Sequence, residues 1–331
     1  MNLQAVQQAE ALTGLIRQIA AAQQPTPSLD EAAVERVTRK VIGDLVAEER
    51  NALASSVPHA RPSPFTPSSS YTRTATCGKI DSAAKVAKAS GKRLVLVSGP
   101  SGSSKTFAAR HAAHRLGLPQ YTVECSGATT VEDLVARPWT SGEGRLVWVE
   151  QAITQAARHG GTVILDEFDL MDPRTLGRLH SVLDCDPRLR LPSGEEMQAH
   201  DDFLVIGCCN GLRRDTGGSY TVSSISSALL GRAVFVASDY MDEAEEVGLY
   251  VAQGYAAAEA RKVYKCLHGL RGLFRSGVLA IPPSPRLGMA VLAGLAEGLD
   301  VDQAWTVALL GGLDARTVEA CKRVMAAAAA V

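Results

Sequence analysis

Aromatic residues are scarce in this chain, charge of either sign is balanced, and no long apolar run occurs. Only 5% of the 331 residues are aromatic, and 34 basic side chains against 35 acidic ones leave a formal charge of −1. No global field therefore draws in nucleic acid or an anionic membrane, and no stretch interleaves basic with aromatic residues. No apolar segment reaches the roughly 20 residues of a membrane span, and Met1-Asn2-Leu3-Gln4 does not open a basic region followed by an apolar one. The expected location is the cytoplasm. Cysteine is present seven times, an odd number with no Cys-x-x-Cys pair and no histidine at ligand spacing. That excludes a disulfide framework and a zinc site, and Cys208-Cys209 reads as a pair of small core residues.

What the chain does contain is enough apolar material, 46%, for two domains with proper cores. Its most informative stretch is Gly99-Pro100-Ser101-Gly102-Ser103-Ser104-Lys105-Thr106, which follows the apolar run Leu94-Val95-Leu96-Val97 and precedes Phe107-Ala108-Ala109-Arg110. A buried strand runs into a glycine loop that opens a helix. Backbone N–H groups of such a loop converge on one concavity, and the helix adds its positive N-terminal end. An anion belongs there. Lys105 is placed to reach the β- and γ-phosphates of a nucleotide, and the Thr106 hydroxyl to hold a magnesium ion bridging them. Ser104 stands where such loops usually carry glycine, so a side chain has to find room in the tight turn.

About 60 residues on, Thr162-Val163-Ile164-Leu165-Asp166-Glu167-Phe168-Asp169 is a short apolar run ending in acids. A strand buried on both faces holds carboxylates only at its C-terminal edge, where open α/β sheets bind ligands. There Asp166 would hold the magnesium and Glu167 would polarise an attacking water. A further buried strand, Phe203 to Asn210, ends in one polar residue. Asn210 either holds that water or merely starts the turn before Gly211.

The rest of the chain supplies the organisation. Residues 1–55 carry two amphipathic helical patterns, a hairpin that is either a docking element or a solvated arm, and residues 56–70 are a Pro/Ser-rich linker. Residues 71–238 form an α/β nucleotide-binding subdomain and residues 239–331 a helical lid. Within the first, Asp81-Ser82 is expected to cap a helix, Arg137 to Trp148 and Arg188 to Met197 to form hairpins, and Val149 to Arg158, Pro173 to Leu183 and Ser223 to Leu230 to be helices. In the lid, Ser284-Pro285-Arg286 starts a helix with a cation in its first turn, which calls for a nearby anion.

With both nucleotide motifs, Asn210, Arg232 and Ser284-Pro285-Arg286 in this order, residues 71–325 resemble an AAA+ ATPase, more narrowly the MoxR group and the ATPase subunit of aerobic cobaltochelatase. The resemblance implies a parallel-sheet AAA+ core followed by a helical lid. It also implies ATP and Mg2+ as cofactors and assembly into a six-membered ring. Asn210 would be the sensor at the γ-phosphate, Arg286 a lid arginine on the nucleotide, and Arg232 a finger inserted into a neighbour's site, with Arg213 and Arg214 as alternatives. The hairpins, with Trp139 and Trp148, would face the pore or a partner, unless those rings are core. The implied partner carries a von Willebrand A-type domain, and neither nucleic acid nor membrane is expected. Against the ATP-driven motor stand a ring scaffold that does not hydrolyse and a DNA-acting member of the class.

Overall fold

The computed structural model describes residues 58–67, 74–141, 144–210 and 225–329. The N-terminal hairpin, Arg213 and Arg214 lie outside them. The chain divides into two compact units, one of His59–Thr140 with Trp148–Val331, the other of Met1–Pro58 with Ser141–Val147. In the second, the described residues form a tight turn in which Gly144 donates to the Ser141 carbonyl and Ser141 to the Arg145 carbonyl, both at 2.8 Å.

In chain order the described elements are α1 (Ala75–Ala89), β1 (Leu94–Ser98), α2 (Lys105–Arg115), β2 (Gln120–Glu124), α3 (Val131–Leu134), β3 (Ala136–Thr140), β4 (Leu146–Glu150), α4 (Ala152–His159) and β5 (Thr162–Asp166). There follow α5 (Pro173–Arg178), β6 (Arg188–Arg190), β7 (Glu196–Gln198), β8 (Leu204–Cys209), α6 (Ser227–Arg232) and β9 (Ala233–Ala237). Beyond β9 every described element is helical: α7 (Glu243–Ala252), α8 (Ala257–Arg275), α9 (Pro285–Ala296), α10 (Val301–Ala308) and α11 (Ala315–Ala329), with a single 3-10 turn.

Five parallel strands make one sheet in the order β2-β5-β8-β1-β9. Their uninterrupted apolar runs require cover on both faces, and strand alternation divides the side chains between two layers. Leu94, Leu96, Leu165 and Val205 face one cluster with Ile153, Ala156 and Ala157 of α4. Val95, Val97, Ile164 and Ile206 face the other, with Ile80 and Ala84 of α1 and Ala108, Ala109, Ala112 and Ala113 of α2. The small alanine side chains let α2 lie close against the strands, which fixes where its first turn, and so the phosphate loop, can sit. Gly207 in β8 does the same for the acidic edge. A Cβ there would stand 2.8 Å from Leu96 Cδ2 and 2.9 Å from Phe168 Cγ, so the missing side chain is what admits Phe168 and positions Glu167 before it. The C-terminal helices pack around a third cluster that includes Tyr250, Leu267, Leu270, Val291 and Trp305.

Several sequence expectations are corrected. The helix expected to start at Asp81-Ser82 starts at Ala75. Asp81 instead pairs with Arg115 at 3.1 Å, and the Ser82 hydroxyl donates back to the Gly78 carbonyl, a mid-helix use of a residue that also caps. The helix assigned from Val149 begins at Ala152 because Val149 and Glu150 belong to β4. Helix α5 stops at Arg178 although Leu179, Val182 and Leu183 are all buried; apolar spacing continued because these side chains still face the core through a series of turns. The helix expected over Ser223 to Leu230 is α6, capped by Ser226 and ending on Arg232 itself.

The linker is also different. Residues 59–67 have no regular structure, yet they are tied to the strands of their own unit. The Ala60 amide donates to the Glu150 carbonyl, the Glu150 amide to His59 Nδ1, and the Ser63 amide to the Gln120 carbonyl at 2.6 Å, while Ser63 Oγ accepts from the Thr122 amide. Phe65 lies edge-on to Phe107 and His114, with the Arg110 guanidinium 4.8 Å from its ring centre. Pro and Ser deny the segment a ladder of its own but leave it free to strap itself to the outer strand β2.

Candidate functional site

Strand β1 ends at Ser98 and the loop curls over Gly99 to Ser104 before α2 begins at Lys105. Ser104 solves its crowding by adopting φ 62°, ψ 24°, the left-handed region that glycine reaches at no cost. Gly102, at φ 78°, has a second reason to lack a side chain, since a Cβ would meet Ser284 Cβ at 2.2 Å. The phosphate loop is thus in direct contact with the turn that starts α9.

Lys105 is buried. Its amine donates to the carbonyls of Gly99 (3.1 Å) and Pro100 (2.9 Å) and to Asn210 Oδ1 (3.0 Å). Burial pushes its pKa down, and nearby acidic groups, Asp166 and Asp169 among them, oppose that shift. Asn210 stands on the tip of β8, its own amide donating to the carboxylate of the fully buried Asp169 at 3.0 Å. The Asn210 side-chain oxygen thus meets the loop lysine at the point where the chain leaves β8. Beside it, Thr106 Oγ1 donates to Asp166 Oδ2 at 2.7 Å, so the hydroxyl proton points at the carboxylate and the lone pairs of the threonine oxygen are turned away from it.

Glu167 follows at φ 52°, also left-handed. Burial and then the negative charges of Asp166, Glu124 and Asp169 hold its carboxyl above the ordinary glutamate range, with Lys105 pulling the other way. Lys105, Thr106, Asp166, Glu167 and Asn210 all open on one cavity of about 400 Å³. Its polar end is Ser101, Gly102, Ser104, Lys105, Thr106, Asp166, Glu167 and Asn210; Phe107, Met241, Leu249, Gln253 and Met289 line the rest, and Pro285 and Arg286 of α9 complete it. A polar, cation-bearing end and a mostly apolar remainder suit a ligand with phosphates at one end and a flat ring at the other.

The residues also fit a divalent ion carried by such a ligand. Among the described residues no group of three or more His, Cys, Asp or Glu could hold a metal alone, and Mg2+, which keeps waters and takes phosphate oxygens, needs only one or two protein ligands. Thr106 and Asp166, already in contact, supply them.

Arg232 lies elsewhere. Strand β9 pairs with β1 in parallel, Ala233 opposite Leu94 and Ala237 opposite Ser98, so Arg232 flanks the entry edge of the sheet while the phosphate loop leaves the exit edge. Its Nε and NH2 donate to Asp184 Oδ2 at 3.0 and 2.7 Å, and NH1 to the Ala228 carbonyl. Trp148 is half-buried against the core, and Trp139 is half-buried on β3.

Reading the sequence missed Asp169 as the support of Asn210. It also missed three residues joined to the loop from the helical part, Tyr240, Glu246 and Arg271, for which the sequence carried no signal beyond polar residues at helical positions facing inward.

A parallel sheet whose strand β1 feeds a glycine loop and a Lys-Thr helix start, flanked by an acidic strand end, defines a P-loop nucleotide-binding protein. The family described as AAA domain (dynein-related subfamily) matches residues 94–233. Denitrification regulatory protein NirQ of Stutzerimonas stutzeri is 30% identical over 233 residues, 65% of this chain and 82% of that one. Protein NorQ of Paracoccus denitrificans is 29% identical over 220 residues, 65% and 78% of the two chains, and NirQ of Pseudomonas aeruginosa 29% over 217 residues, 65% and 81%. A solved chain from Cytophaga hutchinsonii superposes with a TM-score of 0.43 at 13% identity, over 75% of this chain and 91% of that chain. The chain belongs to the AAA-domain family, as a AAA+ protein of MoxR type. Nucleotide binding comes with that family. Among the described residues no helix is long and apolar enough to cross a membrane.

Proposed function

We propose that this chain is a Mg-ATP-dependent motor that assembles into a ring and uses hydrolysis to remodel or activate a partner protein. The observation that carries the reading is the convergence of Lys105, Asn210, Thr106, Asp166 and Glu167 on one cavity, the first four joined in two hydrogen-bonded pairs. Lys105 and the loop amides would hold the β- and γ-phosphates, and Thr106 with Asp166 would hold a magnesium ion, which when bound would supply neutralisation of the charge on the phosphate oxygens. Glu167 orients a water and accepts its proton while the water oxygen bonds the γ-phosphorus and ADP leaves. Asn210 steadies that water, and Arg286 contacts the nucleotide from α9. Arg232, on the far edge of the sheet, serves the site of the next subunit, where an arginine in trans is worth about 10³–10⁵ in rate. Two relatives bear the name of a regulatory protein, which favours a protein target; a von Willebrand A-type domain on that target is part of the proposal.

The test is nucleotide binding and turnover by the purified chain. Lys105→Ala abolishes ATP binding, whereas Glu167→Gln still binds ATP and loses turnover by about 10²–10⁴. Turnover unchanged in both variants removes the mechanism.

A further inference from the structure

Resting on that nucleotide reading, we propose that Arg271 is a positioning residue for the site: through Glu246, Tyr250 and Tyr240 it fixes the start of α9, and with it Arg286, against the phosphate loop. Arg271, on α8, is 2% exposed. Its Nε donates to the Pro283 carbonyl at 3.0 Å and its NH2 to both oxygens of the fully buried Glu246 on α7, at 2.9 and 2.7 Å. Glu246 Oε1 also accepts from the Tyr250 hydroxyl at 2.7 Å, and that hydroxyl lies 3.4 Å from the Pro285 carbonyl. The guanidinium stacks 4.3 Å from the centre of the Tyr240 ring, and the Tyr240 hydroxyl donates to the Ser101 carbonyl of the phosphate loop at 3.3 Å.

Two physical points turn this network into an assignment. The segment Pro282-Pro283-Ser284-Pro285 has one backbone N–H in four residues, and that one donates within the segment to the Pro282 carbonyl at 2.8 Å, so no main-chain donor of its own is left to tie the turn to α7 or α8. Side-chain donors from α7 and α8 bind its carbonyls instead. A buried arginine–glutamate pair is moreover a weak source of stability, since desolvation offsets most of the attraction; what it offers is direction, here aimed at Pro283 and, through Tyr250, at Pro285. The turn so held touches Gly102 through Ser284 and presents Arg286 to the cavity. A displacement of the turn is therefore felt at once by loop and arginine.

The experiment is a double-mutant cycle in the full chain, reading affinity for a fluorescent ATP analogue, KM and kcat for ATP, and thermal midpoint, with Arg271→Lys, Arg286→Ala and the pair. Positioning through Arg286 predicts that Arg271→Lys weakens nucleotide binding about fivefold or more, chiefly in KM, and adds little once Arg286 is alanine. A loss of affinity that multiplies unchanged onto Arg286→Ala, or melting lowered with affinity intact, overturns it. Should Arg271→Lys fail to fold, Tyr240→Phe decides, because it removes only the hydroxyl tie to Ser101: a raised KM at an unchanged melting point supports the assignment, and an unchanged KM overturns it. Wild-type protein that binds no ATP removes the nucleotide reading along with this one, whereas binding with independent effects removes this one alone.

Discussion

Ser104 and Glu167 are the two residues with side chains that stand at positive φ among the described residues, and both line the same cavity. A left-handed backbone costs a side-chain-bearing residue about 1–2 kcal/mol, so strain is concentrated at this cavity. At Ser104 the strain comes from the turn between β1 and α2, which demands a left-handed residue there. Ser104→Gly is expected to raise thermal stability by up to about 1 kcal/mol, less the entropy glycine gains in the unfolded chain, with nucleotide affinity kept or improved; thermal denaturation with and without ATP measures both. Ser104→Val, β-branched at the same φ, is expected to lower the melting point. That a side chain there must be accommodated was legible from the spacing of the motif. How it is accommodated was not, since φ is settled by the strand and helix on either side. Asp169 illustrates the same limit: an acid after a strand is visible in sequence, but the 3-10 turn over Phe168–Leu170 that folds its carboxylate under Asn210 is not.

At the scale of elements, the segment from His59 to Phe65 changes the most between sequence and structure. Its composition correctly excludes a regular strand or helix, yet composition says nothing of single anchors, and His59, Ser63 and Phe65 are three. Phe65→Ala removes a half-buried ring and its contacts with Phe107, His114 and Arg110, at a cost of about 1–2 kcal/mol. Denaturant titration should show a lower midpoint with an unchanged slope, and an unaltered midpoint would mean the anchor carries no energy. The core strands were readable because runs such as Leu94 to Val97 are buried on both faces. Helix ends were less so, as at α5, because burial follows the direction of side chains and the hydrogen-bond ladder follows local turns.

For the whole molecule the decisive fact is the position of Arg232. It flanks one end of a five-residue strand whose neighbour delivers the phosphate loop at the other, about 16 Å away at the usual rise. The guanidinium is held by Asp184 in its own chain, so service to a second subunit means exchanging or sharing that carboxylate. Two variants defective for different reasons then test the ring: Arg232→Ala keeps Glu167, and Glu167→Gln keeps Arg232. Each alone is expected to be nearly inactive, and mixing them should restore part of the turnover, since some sites then combine an intact Glu167 with a neighbour's Arg232. No recovery on mixing, with both variants assembled, would rule out the trans role. The outer strand β2 carries a different message. An open sheet ends in a rail of amides that can recruit another copy, and here Ser63 answers the Gln120 carbonyl and the Thr122 amide. A single serine thus occupies two of the outward-facing groups that an incoming strand would need, and a foreign strand could add to this flank only by first displacing it.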